Sequence, residues 1–199
     1  MPQNKTTIIS NSLCLLGHAP IQTLENGDKM VVAAEQAFDL LLPSILSSGK
    51  WRFCTTITQL SQLNEDPPEG SYWTTVYQLP ASYLSCIKVY PQNYVWDIYA
   101  NRKLYTNWQG RVLMEHTFYV EPTNLPATFA HYFSFEIASY LSLSNAQKAD
   151  FYSVLVREKN IQLSIALGVD TNSRPNFSQI NFPVITKRDS AQSGIIGIN

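Results

Sequence analysis

The sequence predicts an α+β protein: a four-helix bundle that is interrupted by an antiparallel β insertion between its second and third helices. Apolar residues recur at three- and four-residue spacing in residues 1–50 and 123–168, which is typical of helices with one buried face. Residues 51–122 instead contain all four tryptophans and short Thr, Val, Ile and Tyr runs separated by turn residues, a pattern typical of strands. Because each helix has an apolar stripe that needs a partner, the four helices satisfy one another in a bundle.

Residues 1–50 predict two helices. Gly17 is a typical residue for ending the first helix, and Asp28 is a good N-cap for the second. Pro43 is expected to kink or end the second helix, whose tail extends to Ser48 before Gly49 closes it. The apolar stripes of the two helices include Ile8, Ile9, Leu13, Leu15 and Leu16 in the first and Val31, Ala34, Phe38, Leu41, Leu42 and Ile45 in the second.

Residues 51–122 predict seven short strands between breaks rich in proline, glycine and asparagine. The predicted strands are 52–58, 73–78, 84–90, 94–100, 103–106, 111–115 and 117–120. Short strands at this spacing favour a small sandwich or a barrel-like unit.

Residues 123–168 predict the remaining two helices. Pro126 is suited to the first turn of the third helix. Asn145 can cap the fourth helix, and Gly168 is expected to end it. The predicted faces comprise Phe129, Phe133, Ile137 and Tyr140 in the third helix and Phe151, Val154, Leu155, Glu158, Ile161, Gln162 and Ile165 in the fourth.

Residues 169–199 have a different composition, dominated by Ser, Asn, Thr, Gly and Pro. Apolar residues nevertheless recur among them, whereas a merely disordered segment usually carries more charge and fewer aromatic residues. This pattern favours an extended C-terminal arm that orders on a partner surface. Its candidate anchors are Phe177, Ile180, Phe182, Val184 and Ile185.

The composition bounds the kind of protein. Charged residues make up only 15% of the chain and the formal net charge is -1, which excludes a strongly cationic protein that binds phosphate backbones. A surface poor in charge favours extensive interfaces. Cys14, Cys54 and Cys86 lack zinc or disulfide spacing and are expected to be buried free thiols. With no signal-peptide core and no membrane-spanning run, a soluble protein made in a reducing cytoplasm is expected.

No catalytic set stands out, and neither a cofactor nor a metal is expected. His18, His116 and His131 are too far apart in sequence to suggest a ligand set. The acidic residues around Pro67 and Pro68 are interpreted as a rigid, solvated turn, with the general acid and base of a cell-wall hydrolase as the alternative. These residues are Glu65, Asp66 and Glu69.

Glu136 and the basic and aromatic residues of one hairpin can each be interpreted as structural or as functional. Glu136 lies in a mostly aromatic helix and is expected to form a salt bridge or hydrogen bond inside the bundle. Basic and aromatic residues alternate in one hairpin region, where they either fill the sheet core or stack on nucleic-acid bases. The hairpin residues are Arg102, Lys103, Tyr105, Trp108 and Arg111.

In order along residues 8–165, several short motifs resemble the tail tubular protein A family, the head-to-tail adaptors of short-tailed bacteriophages (podoviruses). The opening of the chain resembles the family's first helix and Pro-containing connection at Leu13, Leu16, Gly17, Pro20, Ile21, Leu24 and Glu25. The later similar segments are Gly49-Lys50-Trp51-Arg52-Phe53, Leu79-Pro80-x-x-Tyr83-Leu84, the hairpin from Ile98 to Tyr105, and Val120-Glu121-Pro122 to Leu125-Pro126-x-x-Phe129.

The resemblance implies a structural virion protein of the phage tail or neck with no enzymatic activity. Members of the family form a dodecameric ring between the portal protein and the tail nozzle, through which DNA passes during ejection. By this resemblance the C-terminal arm docks on the portal and the helices pack side by side in the ring. The β insertion then faces the nozzle and any tail fibre or spike, through Tyr72, Trp73, Tyr94, Trp96 and Trp108.

Overall fold

The computed structural model describes residues 4–24, 28–99, 102–143 and 149–172 as a mixed α+β structure. Its helices are α1 (Lys5–Leu15), α2 (Lys29–Leu46), α3 (Ala127–Ser142) and α4 (Ala149–Asn172). Its strands are β1 (Thr55–Gln59), β2 (Ser61–Gln62), β3 (Thr75–Gln78), β4 (Tyr83–Tyr90), β5 (Trp96–Tyr99), β6 (Lys103–Thr106) and β7 (Leu113–Phe118). A short 3₁₀ turn, Pro122–Asn124, precedes α3.

Local signals set the ends of the first two helices. Asn4 caps α1 by accepting the backbone N–H of Thr7 at 2.7 Å, and Gly17 follows the helix with φ +87°. Asp28 caps α2 as predicted, accepting the N–H of Met30 at 2.9 Å. The second helix continues through Pro43 and ends at Leu46, so the proline does not end it.

The helices share one aromatic and aliphatic core. Both α1 and α2 pack on each other and on α3, and α4 packs on α3. The ring of Phe133 meets that of Phe38 at 5.2 Å between centroids, and Trp51 meets Phe129 at 4.8 Å, both edge to face. Trp51 and Cys54, which the sequence places in the β segment, lie in this helical core.

The strands form two antiparallel sheets. The first sheet has the order β1-β7-β4 and the second the order β2-β3-β6-β5. Residues of both sheets form a second core, which includes Val89 and Met114 from the first sheet and Tyr77 and Leu104 from the second. The two sheets thus pack on a shared apolar interior, as the sheets of the predicted sandwich would.

Several strand predictions need correction. The predicted strands 73–78 and 94–100 begin two residues later, at Thr75 and Trp96, where each pairs with Thr106 of β6. The predicted strands 111–115 and 117–120 are one strand, β7, because Glu115 and His116 pair in unbroken register with β1. The predicted strand 52–58 begins only at Thr55, since the preceding residues form a turn in which the N–H of Thr55 bonds to the carbonyl of Arg52. The two-residue strand β2 was not predicted, because Ser61 and Gln62 carry no strand signal.

The predictions for the last two helices are also partly wrong. Gly168 does not end α4, which continues to Asn172 and so includes the first residues of the predicted arm. Tyr140 is exposed, although it was assigned to the buried face of α3. Within the predicted stripe of α4, Leu155 is buried, but three other members are exposed on another face of the helix: Val154, Ile161 and Ile165.

Candidate functional site

The five aromatic residues that the sequence singles out converge at one end of the second sheet. At this end β3 begins at Thr75, β5 begins at Trp96, and β6 ends at Thr106. Thr106 pairs directly with both Thr75 and Trp96 in the antiparallel register. Residues that precede β3, lead into β5 or follow β6 therefore lie near one another. They are Tyr72, Trp73, Tyr94, Trp96 and Trp108.

Hydrogen bonds to Thr106 hold these segments together. The Thr106 carbonyl accepts the N–H of Thr74 at 3.1 Å. Its hydroxyl donates to the carbonyl of Val95 at 2.8 Å and accepts the N–H of Trp108 at 3.2 Å. One buried threonine thus connects the chain beside Trp73, Tyr94 and Trp108.

The aromatic side chains at this end form two pairs. The rings of Tyr72 and Trp73 are 4.3 Å apart, as are those of Tyr94 and Trp108. Tyr72 is 67% exposed and Trp96 is 38% exposed, whereas Trp108 packs partly against the core between the sheets. We define the aromatic end as these five residues. It combines an anchored base with exposed rings, as protein-binding surfaces do.

The chain between β2 and β3 is tied to the outer face of the second sheet at Glu65. Glu65 in this segment forms an ion pair with Lys103 of β6 at 2.5 Å. Val76 and Tyr105 are buried although they point to that face, and Tyr105 stacks on Tyr99 at 4.1 Å. The ion pair therefore anchors the segment that leads to Tyr72 and Trp73.

The acidic turn is tied to the sheet through this ion pair. The hydrogen bond to the Glu65 carboxylate raises the pKa of Lys103 above its usual value. Asp66 and Glu69 are exposed on the same connection. The interaction that the structure gives to this cluster is thus an anchor for the segment between β2 and β3.

The hairpin's basic and aromatic residues are also engaged within the fold. A guanidinium nitrogen of Arg102 donates to the carbonyls of Pro80, Ala81 and Tyr83 at 3.1, 3.1 and 2.7 Å. Lys103 pairs with Glu65, and Tyr105 is 5% exposed. Of the set considered for base stacking, these three stabilise the β region instead.

Asp170 makes a connection that sequence reasoning did not find. Its carboxylate accepts the backbone N–H groups of Arg52 and Phe53 at 2.6 and 3.2 Å, joining the end of α4 to the turn before β1. The contact borders a cavity of about 260 Å³ whose lining includes Phe129 and Val169. No local pattern signals it, because its partners are more than a hundred positions apart.

Glu136 meets its prediction. It accepts the hydroxyl of Tyr132 at 2.8 Å and pairs with Lys159 of α4 at 3.3 Å. Burial, together with the neighbouring Glu136 carboxylate, raises the pKa of Tyr132 well above its usual range. The Glu136 carboxylate thus links α3 to α4.

The three histidines and the three cysteines differ in burial and lie on different elements. His116 is buried in β7, whereas His18 and His131 are exposed. Cys54 is buried and Cys86 is half-buried, but Cys14 is exposed, so the prediction of a buried thiol is wrong there. Among residues 4–24, 28–99, 102–143 and 149–172, no three His, Cys, Asp or Glu side chains form a group that could hold a metal ion.

The predicted portal anchors Phe177, Ile180, Phe182, Val184 and Ile185 lie outside the described residues, as does the predicted cap Asn145. None of the helices in the described part of the chain is long and apolar enough to cross a membrane. No family model matches the sequence, and no curated protein matches it.

Proposed function

We propose that this protein is a structural virion protein, a head-to-tail adaptor that forms a ring between the portal and the tail nozzle of a short-tailed phage. The observation that carries the proposal is the aromatic end. Five residues separated by up to 36 positions (Tyr72 to Trp108) lie on segments that meet at this end of the sheet, with the rings of Tyr72, Tyr94 and Trp96 exposed. Exposed aromatic residues on a rigid support are characteristic of interface anchors.

In the proposed ring, the four helices form a bundle that packs beside the bundles of neighbouring copies. The aromatic end faces the nozzle and serves as an attachment platform for tail fibres or spikes. The C-terminal arm, which begins beyond α4, docks on the portal. The low charge of the chain, 15% of residues with a net charge of -1, suits a channel wall that lets DNA pass without holding its phosphates.

The test is to quantify this chain against the portal protein by mass spectrometry of purified, DNA-filled particles of the virus that encodes it. We expect one copy per portal subunit, because a ring adaptor matches the symmetry of the vertex on which it assembles. A few copies per particle, or none, contradict the proposal.

A matched control tests where in the particle this chain is built in. Particles that lack the nozzle protein should retain this chain in the same ratio to the portal, because the adaptor lies between the two. Loss of the chain together with the nozzle would place it beyond the nozzle and overturn the proposed position.

A further inference from the structure

The outer face of α4 carries a row of exposed apolar residues. Val154, Ile161 and Ile165 are 56%, 42% and 48% exposed, and the helical repeat places them on one side. Leu155 and Ala166 of the same helix are buried about 100° further round the helix axis, where α4 packs on α3. The helix is therefore apolar on two faces, of which the fold covers one.

A second exposed row lies on α2. Val32 is 43% exposed and Leu40 is 59% exposed, two helical turns apart, with exposed Gln36 between them. Both α2 and α4 pack on α3 but make at most marginal contact with each other. The two rows thus belong to different surfaces of the same chain.

Charged side chains flank both rows. On the α2 side the single ammonium of Lys5 pairs with both Glu35, at 3.1 Å, and Asp39, at 2.8 Å. One cation between two carboxylates leaves this edge of the row net negative, whereas the exposed Lys29 lies in line with Val32 and Leu40. On the α4 side the exposed Arg157 lies at one edge of the row and forms no ion pair with any residue that the structure describes, and Glu158 lies at the other edge.

We propose that these rows are the two halves of the contact between neighbouring copies, the α4 row of one chain packing on the α2 row of the next. The two patches differ, so the contact is head-to-tail, and such a contact closes into a ring when its rotation allows. Arg157 of one copy then lies against the Asp39 side of its neighbour. The inference rests on the proposed ring and assigns its interface.

Cysteine cross-linking tests the geometry, in the full chain carrying Cys14→Ser to remove the exposed native thiol. The protein is oxidised mildly at a chain concentration of about 1 mM, at which even a contact with a Kd near 1 mM is populated. The double variant Leu40→Cys/Ile161→Cys should then give a ladder of dimers, trimers and higher species. An equal mixture of the two single variants should stop at dimers, because each chain then offers one half of the contact.

The single variants and a surface pair provide the controls. Leu40→Cys alone and Ile161→Cys alone should form dimers only at the rate of random collision, because neither row meets itself. The pair Gln59→Cys/Gln92→Cys places exposed thiols on the β region and should form oligomers at least about tenfold more slowly. Dimers from one single variant that form as fast as the ladder, a ladder no faster than this pair, or no ladder at all would each overturn the proposal.

Charge reversal supplies a second readout. Arg157→Glu in the double-cysteine chain should slow ladder formation roughly tenfold at low salt, because it sets like charges against each other. The difference should shrink as salt screens the interaction. An unchanged rate would contradict the placement of Arg157.

The cross-linking outcome is distinguishable from that of the particle measurement. One copy per portal subunit without a specific ladder would mean that the ring uses other faces. A specific ladder from a chain absent from virus particles would mean that the contact exists but the connector role does not.

Discussion

Cys54 lies where the helical core meets the first strand, with its Sγ 3.4 Å from the carbonyl of Trp51. Burial, with a smaller contribution from the negative charge of Asp170, raises the pKa of this thiol to about 12. In the unfolded chain the thiol returns to an ordinary value near 9. The folded state therefore keeps a proton that the unfolded state releases in alkaline solution.

This difference predicts a pH-dependent stability. Below pH 9 the stabilisation from Cys54 is fully present, and it is lost as the pH rises toward 12, because the unfolded state then binds fewer protons. We expect the free energy of unfolding to fall by up to about 1.4 kcal/mol per pH unit from this group. Urea denaturation between pH 8 and pH 11 measures the slope.

The control is Cys54→Ala, which is less stable at neutral pH because it leaves a small cavity. Its free energy of unfolding should fall less steeply with pH than that of the parent, since the tyrosines contribute equally to both slopes. Parallel curves would show that Cys54 titrates normally in the folded protein.

Cys14 and Cys54 should also react differently with thiol reagents. Cys14 is exposed and should be modified by a thiol reagent at pH 8, whereas Cys54 should react only after unfolding. Mass spectrometry of the partly labelled protein identifies the sites. Modification of Cys54 at a rate close to that of Cys14 would contradict the buried position.

At the scale of elements, the end of α4 is held by the side chain of Asp170. Asp170 supplies acceptors to two backbone N–H groups of the turn between α2 and β1. Gly168 is exposed inside the helix, and space is open around it, so nothing near that glycine forces the helix to stop. The tertiary contact at Asp170 stabilises the extra turn.

We expect Asp170→Ala to lower the free energy of unfolding by about 1–3 kcal/mol, because it leaves the N–H groups of Arg52 and Phe53 without their acceptor. Asp170→Asn retains one acceptor oxygen and should cost less. The midpoint of urea denaturation checks both variants. Asn172→Ala, at the exposed end of the same helix, is the matched control and should have little effect.

Arg102 links the β5–β6 hairpin to the chain that enters β4. Its φ is +64°, a left-handed conformation that favours glycine, and its side chain spans three carbonyls. Arg102→Ala should destabilise the fold by roughly 1–3 kcal/mol by removing those hydrogen bonds. Arg102→Gly removes the same bonds but relieves the backbone, so thermal denaturation should show it to be the more stable of the two.

At the scale of the whole molecule, the end of α4 decides how the predicted arm can be tested. A deletion of residues 173–199 keeps Asp170 and all of α4. We expect this variant to unfold as cooperatively as the parent and to lose its binding to the portal, measured by co-sedimentation. A deletion of residues 169–199 serves for comparison. It also removes Asp170 and should therefore lower the unfolding midpoint. Full portal binding after the shorter deletion would show that the arm is not the anchor.

The aromatic end should matter for binding more than for folding. Trp96→Ala removes a side chain that is more than a third exposed, so we expect less than about 1.5 kcal/mol of destabilisation and a loss of nozzle binding of tenfold or more. Titration of the nozzle protein against the assembled ring measures the affinity. Asn93→Ala, an exposed neighbour without a ring, should bind normally, and equal binding by both variants would contradict the assignment.

Much of the secondary structure was predictable, because its signals are local. Asp28 was recognised as a cap from its own residue type, and the strand 103–106 was predicted at its observed bounds. Errors arose where a local signal had two readings. The apolar residues of α4 form two rows, and helical periodicity alone does not tell which row faces α3.

By itself, the sequence determined that the protein is α+β, where most of its helices and strands lie, and which aromatic residues could form a surface. These follow from periodicity, capping and turn residues within a few positions of one another. Only the tertiary structure decided that the five aromatic residues share one sheet end, that Asp170 holds the turn at Arg52, and that Ile161 and Ile165 remain exposed. Each of these depends on the pairing of strands or the packing of helices, which joins residues too distant in the chain for a local pattern to specify.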